Sequence, residues 1–144
     1  MTVKDRYALP LADDLRDRLR GAKIFTQLDR REGYHLIRMK EGEEWKTAFR
    51  TPIGHFECLV MWEGLTNAPA TFQRLLHNVL RPFLDKTCVS YLDDILVFSK
   101  DEARHTQDVR DILSALKRAD LRLKPEKCKF HTKEVTFLGF IINT

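Results

Sequence analysis

The feature that most constrains this sequence is a pair of adjacent aspartates, Asp93 and Asp94, between two apolar runs. Residues 88–90 lie shortly before the pair, and residues 95–98 follow it directly. Runs with β-strand composition that meet at turn residues are typical of a tight hairpin. The sequence therefore predicts a β-hairpin with two carboxylates at its tip.

Two like charges side by side repel each other, so an apolar hairpin gains no stability from them. A divalent cation would remove that cost, because Mg²⁺ binds carboxylate oxygens and keeps coordination positions open for phosphates. Aspartates are also common in turns that have no role in binding or catalysis. The hairpin alone leaves both interpretations open.

A third aspartate favours the metal site. Residues 24–28 form another short apolar run with strand composition, and Asp29 ends it. If the two strands meet at one edge of a sheet, three carboxylates could hold two metal ions about 3.5–4 Å apart, the arrangement used for phosphoryl transfer. Spacing alone does not establish that these strands are neighbours.

Four motifs follow one another along the chain in a definite order. They are Phe25-Thr26-Gln27-Leu28-Asp29 with Gly33-Tyr34-His35, then Gly64-Leu65-Thr66-Asn67-Ala68-Pro69-Ala70-Thr71-Phe72-Gln73, then Tyr91-Leu92-Asp93-Asp94, and then Phe137-Leu138-Gly139-Phe140. With these motifs the chain resembles the reverse transcriptase of gypsy-type long-terminal-repeat retrotransposons over essentially its whole length. The resemblance implies a nucleotidyltransferase, an RNA-directed DNA polymerase that adds nucleotides from dNTP to a primer 3′-hydroxyl.

The resemblance also implies a catalytic centre. Asp29, Asp93 and Asp94 would be the catalytic carboxylates, and they would bind two Mg²⁺ or Mn²⁺ ions together with the backbone carbonyl of Arg30. Asp29 and Asp93 are favoured as direct metal ligands.

Two further groups of residues would contact nucleotide and nucleic acid, again by resemblance. The residues implied for the nucleotide are Glu32, Gly33, Tyr34, Glu63 and Gly64. Tyr34 would be the aromatic gate that excludes a ribose 2′-hydroxyl. The residues implied for template and primer are Ala68, Pro69, Gln73, Tyr91, Leu92, Phe137, Leu138 and Gly139, of which the last three would belong to the hairpin that holds the primer end.

Periodicity and turn residues predict the secondary structure. Apolar residues at helical spacing predict helices over residues 11–20, from Asn67 as N-cap to about Pro82, and over residues 102–119. Predicted strands are residues 23–28, 36–39, 45–50, 55–61, 121–123 and 135–142, together with the hairpin over residues 87–99. Strands and helices are thus interspersed, which predicts an α+β fold with an antiparallel sheet, two long helices on one face and the other face open.

This fold agrees with the ferredoxin-like polymerase palm that the resemblance implies. We expect residues 1–144 to form a single palm domain with partial fingers, whose elements lie within about residues 36–61. The thumb, the ribonuclease H region and an upstream part of the fingers are expected to be absent.

The bulk properties are compatible with a nucleic-acid partner. The net charge is +4, which suits a polyanion without requiring one. No apolar run approaches the roughly 20 residues of a membrane span, and no signal peptide is recognisable. We expect a location inside the cell, in cytoplasm or nucleus, with template RNA or DNA, a primer and dNTP as partners, no membrane, covalent neighbours in a longer polyprotein, and self-association.

Some residues depart from the family pattern. The family has a Pro-Phe pair where this chain has Trp62 and Glu63, and apolar and small residues where it has Arg30 and Glu32. Negative charge at either glutamate would oppose a triphosphate by about 1 kcal/mol or more in a partly buried site. Arg30 would offset part of that repulsion if its side chain turned toward the phosphates.

Two classes of function therefore remain open. The first is the polymerase core, favoured by the retained aspartates, with weak or no activity expected for this chain by itself. The alternative is a non-catalytic remnant of a retrotransposon reverse transcriptase that binds nucleic acid or protein, favoured by the departures from the family pattern.

Overall fold

The fold is built on a central antiparallel sheet, in a computed structural model that describes residues 3–5, 12–31 and 33–144. In chain order the elements are α1 (Ala12–Arg18), β1 (Ile24–Asp29), β2 (Phe49–Thr51), β3 (Gly54–Phe56), α2 (Ala68–Leu80), β4 (Cys88–Tyr91), β5 (Asp94–Ser99), α3 (Glu102–Arg118), β6 (Lys129–Thr132), β7 (Glu134–Phe137) and β8 (Phe140–Asn143). Short 3₁₀ helices lie at Tyr34–Leu36, Glu44–Thr47 and Pro125–Lys127. Within these ranges, no helix is long and apolar enough to cross a membrane.

The central sheet has the strand order β4-β5-β1-β6 in the part of the chain that the structure describes. Strands β1 and β5 pair antiparallel along their whole length, from Ile24 opposite Ser99 to Asp29 opposite Asp94. Strands β2 and β3 form a separate hairpin, and so do β7 and β8. The expected α+β fold with antiparallel sheets and two long helices is confirmed.

Helices α2 and α3 pack on one face of the central sheet. Their buried residues Leu76 and Ile112 belong to one core cluster with Leu28 of β1 and with Ile95 and Val97 of β5. Because successive side chains of a strand point to opposite faces, this places residues 25, 27 and 29 of β1 on the other face. The side chains of Asp29 and Asp94 therefore lie on the face that α2 and α3 do not cover.

The second face is also partly covered, contrary to the expectation that it would be open. Leu15 of α1 and Leu19, which directly follows the helix, form a second core cluster with Phe25, Phe98 and the buried Phe137 of β7. Helix α1 falls within the predicted helix of residues 11–20, of which Leu11 lies outside the described residues. The amphipathic pattern of α1 identified a buried stripe, but not the sheet face against which it packs.

Several predicted strands are wrong or shorter than expected. Of the predicted strand over residues 55–61, only the first two residues belong to β3. The rest of that segment pairs with residues 36–39 through a single isolated bridge, between Val60 and Arg38. Residues 45–50 divide into a 3₁₀ helix and β2. Residues 121–123 contribute only the bridge from Leu123 to Arg30. In these segments apolar side chains such as Leu36 and Leu121 reach the core without a hydrogen-bonded ladder.

Strand β6 was not predicted. It lies at the edge of the central sheet beside β1, and three of its four residues are exposed. An edge strand with exposed side chains needs no alternation of apolar and polar residues, so the periodicity on which strand prediction depends is missing. By contrast, β1, the β4–β5 hairpin, α2 and α3 are confirmed close to their predicted bounds.

Asn67 occupies the N-cap position of α2, as expected, but its side chain makes no capping hydrogen bond. Its amide instead donates to the Val3 carbonyl at 2.9 Å, and its side-chain oxygen accepts from the Asp5 amide at 2.9 Å. Asn67 therefore fastens an N-terminal segment to the start of α2.

A buried polar network joins α3 to the sheet. His105 is fully buried, with Nε2 2.7 Å from Thr26 Oγ1 and Nδ1 2.8 Å from Ser99 Oγ. Ser99 Oγ donates its proton to Asp108 Oδ2 at 2.7 Å. The hydroxyl has only one proton, so His105 Nδ1 must be the donor to Ser99.

Burial lowers the pKa of His105, and the neighbouring His131 lowers it further, while Asp108 acts in the opposite direction. As the pH falls through the ordinary histidine value of 6.5, the unfolded chain takes up a proton before the folded chain does. The free energy of unfolding therefore decreases in this range as the pH is lowered, and the contribution of His105 is fully present only above it.

Replacing His105 should make this pH dependence shallower. We expect His105→Gln, which does not titrate and retains part of the hydrogen bonding, to lower the free energy of unfolding at neutral pH by about 1–2 kcal/mol. Between about pH 7.5 and 5.5, the free energy of unfolding of this variant should decrease less than that of the wild type. Urea unfolding at several pH values measures both effects, with the exposed His55→Gln as the control. Parallel pH profiles for wild type and His105→Gln would contradict this role of His105.

Candidate active site

Two of the predicted catalytic carboxylates are direct cross-strand partners. Asp29 ends β1 and stands opposite Asp94, which begins β5. Both residues are half-buried. Gln27, two positions before Asp29 on the same strand face, lies near enough to Asp94 to lower the pKa of its carboxyl. The register of one strand pair therefore brings Asp29 and Asp94 together on a single face.

The electrostatics of Asp94 reflect this crowding. Burial raises the pKa of the Asp94 carboxyl, and the charges of Asp29 and Asp93 raise it further, while the nearby Gln27 side chain lowers it. A cation bound by such closely spaced carboxylates is stabilising, because it compensates the repulsion between their negative charges.

Asp93 occupies the turn between β4 and β5. Tyr91 pairs with Asp94, so the connection consists of Leu92 and Asp93 alone. The Asp93 carbonyl accepts a hydrogen bond from the Arg30 amide at 3.3 Å, and the Asp93 carboxylate forms an ion pair with the Arg30 guanidinium. Asp93 is thus tied to the chain just beyond Asp29 by both its backbone and its side chain.

Arg30 is buried, with only 2% of its surface exposed. Its guanidinium carbon lies 3.7 Å from the centroid of the Phe72 ring, and Nη1 donates to the Arg31 carbonyl at 2.6 Å. Burial lowers the pKa of Arg30, and the charge of Asp93 is the largest influence that opposes this. Arg30 was expected to offset the glutamates if it turned toward a triphosphate, but its side chain is directed inward to Phe72 and Asp93.

The three carboxylates do not form a ready-made metal site. Over residues 3–5, 12–31 and 33–144, no group of three or more His, Cys, Asp or Glu side chains is arranged to hold a metal ion. Asp29 and Asp94 share a sheet face, whereas the carboxylate of Asp93 is engaged by Arg30. A metal bound by all three residues would therefore have to compete with the guanidinium for Asp93.

The residues expected to contact nucleotide lie around Tyr34. Tyr34 is half-buried and packs edge-on against Phe72, with ring centroids 5.5 Å apart. Burial raises its pKa, Asp93 and the exposed Glu63 add to that effect, and Arg30 opposes it. Gly64, next to Glu63, has a φ of +99° that favours glycine. Glu32 lies outside the described residues.

Gln73 was expected at the template, and its side chain is fully buried. Its Oε1 accepts from the Leu92 amide at 2.8 Å, and its Nε2 lies 3.4 Å from the Ser90 carbonyl and 2.7 Å from His77 Nε2. Leu92 has a φ of +49°, which is unfavourable for a residue with a branched side chain. Gln73 therefore holds the turn that carries Asp93 against α2.

The remaining residues expected at template and primer divide between surface and interior. Pro69 and Gly139 are exposed, and Tyr91, Leu92 and Leu138 are half-buried. Ala68 and Phe137 are almost completely buried, at 1% and 2% exposed. Those two side chains pack in the core, since α2 and β7 each need an apolar residue facing the sheet at these positions.

Sequence reasoning missed the side chains that support the carboxylates. Gln27 could have been found, because period-two alternation places it on the same strand face as Asp29. Phe72 lies in the apolar core beneath α2, but its ring also contacts the Arg30 guanidinium. That second contact joins α2 to the end of β1 and has no signal in the periodicity.

Known proteins are similar to the chain in both sequence and fold. Residues 1–142 match the family described as reverse transcriptase (RNA-dependent DNA polymerase). The retrovirus-related Pol polyprotein from transposon 297 of Drosophila melanogaster is 44% identical over 142 residues, which are 99% of this chain and 13% of that polyprotein. The transposon Tf2-3 polyprotein of Schizosaccharomyces pombe is 44% identical over 137 residues, 95% of this chain and 10% of the polyprotein.

Solved structures of foamy virus protease-reverse transcriptase share the fold. The structure in complex with an RNA/DNA hybrid has a TM-score of 0.85 at 21% identity and covers 98% of this chain and 19% of that one. The native prototype foamy virus protein has a TM-score of 0.74 at 26% identity, over 85% of this chain and 16% of that one. The chain thus spans a small part of the proteins it matches. With nearly all of its residues matched, it belongs to the reverse transcriptase (RNA-dependent DNA polymerase) family.

Proposed function

We propose that this chain is the catalytic core of a reverse transcriptase from a gypsy-type long-terminal-repeat retrotransposon. It would transfer nucleotides from dNTP to a primer 3′-hydroxyl on an RNA or DNA template. The observation that carries the proposal is the direct opposition of Asp29 and Asp94 across β1 and β5, with Asp93 in the adjoining turn. In a member of the reverse transcriptase family, three carboxylates in one region are the type of ligand that two-metal nucleotidyl transfer uses.

We assign the central sheet with α2 and α3 to a ferredoxin-like palm, and residues of about 36–61 to part of the fingers. The assignment is supported by two helices on one sheet face and by carboxylates at the edge of the opposite face. The separate β2–β3 hairpin belongs to the partial fingers in this proposal. The two sequence relatives are polyproteins, which supports covalent neighbours in a longer chain.

The residues present fit a site for divalent cations in their chemistry, because carboxylate oxygens are the preferred ligands of Mg²⁺ and Mn²⁺. Asp29, Asp93 and Asp94 would hold the two ions, with the backbone carbonyl of Arg30. When bound, such ions supply Lewis-acid chemistry to the primer hydroxyl and the phosphates. The raised pKa of Asp94 supports the fit, since burial and the charges of its two neighbours would be compensated by a cation.

The chain's own residues would orient the substrates. Tyr34, packed against Phe72, would form one wall of the nucleotide site and exclude the 2′-hydroxyl. The nucleotide would lie along residues 32–34 and 63–64, and the turn of Leu138 and Gly139 would hold the primer end. A solved relative in complex with an RNA/DNA hybrid supports nucleic acid as the partner.

A second candidate is a non-catalytic remnant that binds nucleic acid or protein. The observation that favours it is the ion pair between Arg30 and Asp93, which neutralises a carboxylate that the enzyme would use for metal. Retention of all three aspartates in a common region favours the enzyme. Activity measurements separate the two.

Primer extension tests the enzyme directly. We expect weak incorporation of dNTP on a primed template that depends on Mn²⁺ or Mg²⁺ and is lost in Asp94→Asn. Removal of a group that acts on the reacting centre costs several powers of ten in rate. Template binding without any metal-dependent incorporation would favour the remnant.

Divalent metal should stabilise the folded chain, because a cation that neutralises neighbouring carboxylates binds only the state that holds them together. We expect Mn²⁺ at about 100 times its dissociation constant to add about 2.7 kcal/mol to the free energy of unfolding. The double variant Asp93→Asn, Asp94→Asn should lose this response in thermal melts. The control carries the same charge change at two exposed sites, Glu41→Gln and Glu57→Gln. Equal shifts in all three proteins would contradict a specific metal site.

The pair Trp62 and Glu63 should weaken nucleotide binding. Glu63 is near enough to affect the pKa of Tyr34, so its charge also opposes a bound triphosphate. We expect Trp62→Pro, Glu63→Phe to bind dNTP about fivefold more tightly, because removal of one repulsive charge is worth about 1 kcal/mol. Affinity for a primer–template duplex should change less. Fluorescence titrations measure both affinities, with Glu57→Gln as the charge control, and an equal gain for duplex and dNTP would contradict the local effect.

A further inference from the structure

Arg30 is a buried cation beside the candidate active site. Its side chain is 1% exposed, whereas that of its ion-pair partner Asp93 is 67% exposed. The pair therefore links the interior of the protein to the surface at which a metal ion would arrive. A buried charge is tolerated only where it is compensated, so the contacts of Arg30 determine how readily it can leave Asp93.

The guanidinium is enclosed on several sides. The guanidinium carbon lies over the Phe72 ring, 3.7 Å from its centroid, and the Arg31 carbonyl accepts from Nη1 at 2.6 Å. A Cβ atom at Gly33 would lie 2.9 Å from Nη1 and 3.0 Å from the Phe72 ring, so any side chain here would displace the guanidinium or the ring. These contacts hold Arg30 in one place and direct Nη2 to Asp93.

The ion pair between Arg30 and Asp93 opposes the binding of a cation at Asp93. Arg30 occupies one oxygen of Asp93, and its positive charge also acts near Asp29, which is among the influences on the pKa of Arg30. A divalent ion bound by Asp93 would lose that oxygen to the guanidinium and would be repelled by a neighbouring charge of the same sign. Both effects weaken binding of the ion, and neither depends on the rest of the nucleotide site.

We infer that Arg30 and Asp93 form an internal latch that weakens divalent-cation binding at the candidate active site. An ion bound by Asp93 either shares the carboxylate with the Arg30 guanidinium or displaces it. The Arg30 side chain thereby sets the metal affinity of this chain without itself binding the ions. The inference rests on the proposed function, because it assumes that Asp29, Asp93 and Asp94 bind the ions. Arg30 is in this respect a positioning residue for Asp93.

A neighbouring arginine provides a matched control. Arg31 carries the same charge one position further along the chain, but its side chain is exposed. Replacement of either arginine by leucine makes the same change in net charge. Only Arg30→Leu removes the guanidinium between Phe72 and Asp93, and leucine at this place meets the apolar surface of the Phe72 ring.

The experiment is a titration of the full 144-residue chain with Mn²⁺, followed by the electron paramagnetic resonance signal of the free ion. We expect the dissociation constant to fall about tenfold in Arg30→Leu, the order of magnitude for removal of one nearby charge at the effective dielectric of protein sites. Arg31→Leu should change it by less than about twofold, because solvent screens an exposed charge. Equal affinities in Arg30→Leu and Arg31→Leu would overturn the latch.

Further variants keep the inference testable if Arg30→Leu folds poorly. Arg30→Gln retains a hydrogen-bond donor without the charge, and it should also bind Mn²⁺ more tightly than the wild type. In an Asp93→Asn background, replacement of Arg30 should have a much smaller effect, since no carboxylate remains to be released. An undiminished effect in that background would show that Arg30 acts through general charge alone and would overturn the latch.

Failure of the latch and failure of the proposed function give different results. If wild type binds Mn²⁺, loses it in Asp29→Asn and Asp94→Asn, and is unaffected by Arg30→Leu, the metal site stands and the latch is overturned. If no protein in the series shows Mn²⁺ binding that depends on these aspartates, both are overturned.

Discussion

The candidate site depends on the antiparallel pairing of β1 and β5. This register sets Asp29 against Asp94 and leaves Asp93 in the turn that follows β4. If the register shifted by one residue, Asp29 would no longer stand opposite Asp94, and every side chain of the shifted strand would turn to the other face of the sheet. The cores on both faces oppose such a shift, because Leu28 and Ile95 must face α2 and α3 while Phe25 and Phe98 face α1.

Two buried polar side chains hold the turn between β4 and β5 in place. Gln73 reaches from α2 to the Leu92 amide, and Arg30 reaches from the end of β1 to Asp93. Both side chains depend on α2. Gln73 belongs to this helix, and the Arg30 guanidinium packs on the ring of Phe72, the residue that directly precedes Gln73. The position of the carboxylates is therefore coupled to the packing of α2.

Sequence reasoning was most successful where burial imposes a period. The stripes of α2 and α3 and the apolar runs of β1 and the β4–β5 hairpin were recognised, because each needs apolar residues at fixed intervals to cover one core. It failed at β6, whose exposed residues leave no such trace, and at residues 36–39, which fill the core without forming a ladder. The burial of Gln73 was not foreseen either, since a polar residue within a motif gives no sign that it is buried.

The sequence by itself determined which chemistry is available: three aspartates at the ends of apolar runs, in ordered motifs of the reverse transcriptase family. The tertiary structure alone decided how those groups are paired. Whether Arg30 turns toward a bound triphosphate or toward Asp93 depends on Phe72 and Gly33, which leave a space for the guanidinium next to the turn. Such a choice arises from contacts between residues far apart in the chain, and a buried charge takes the partner that these contacts bring within reach.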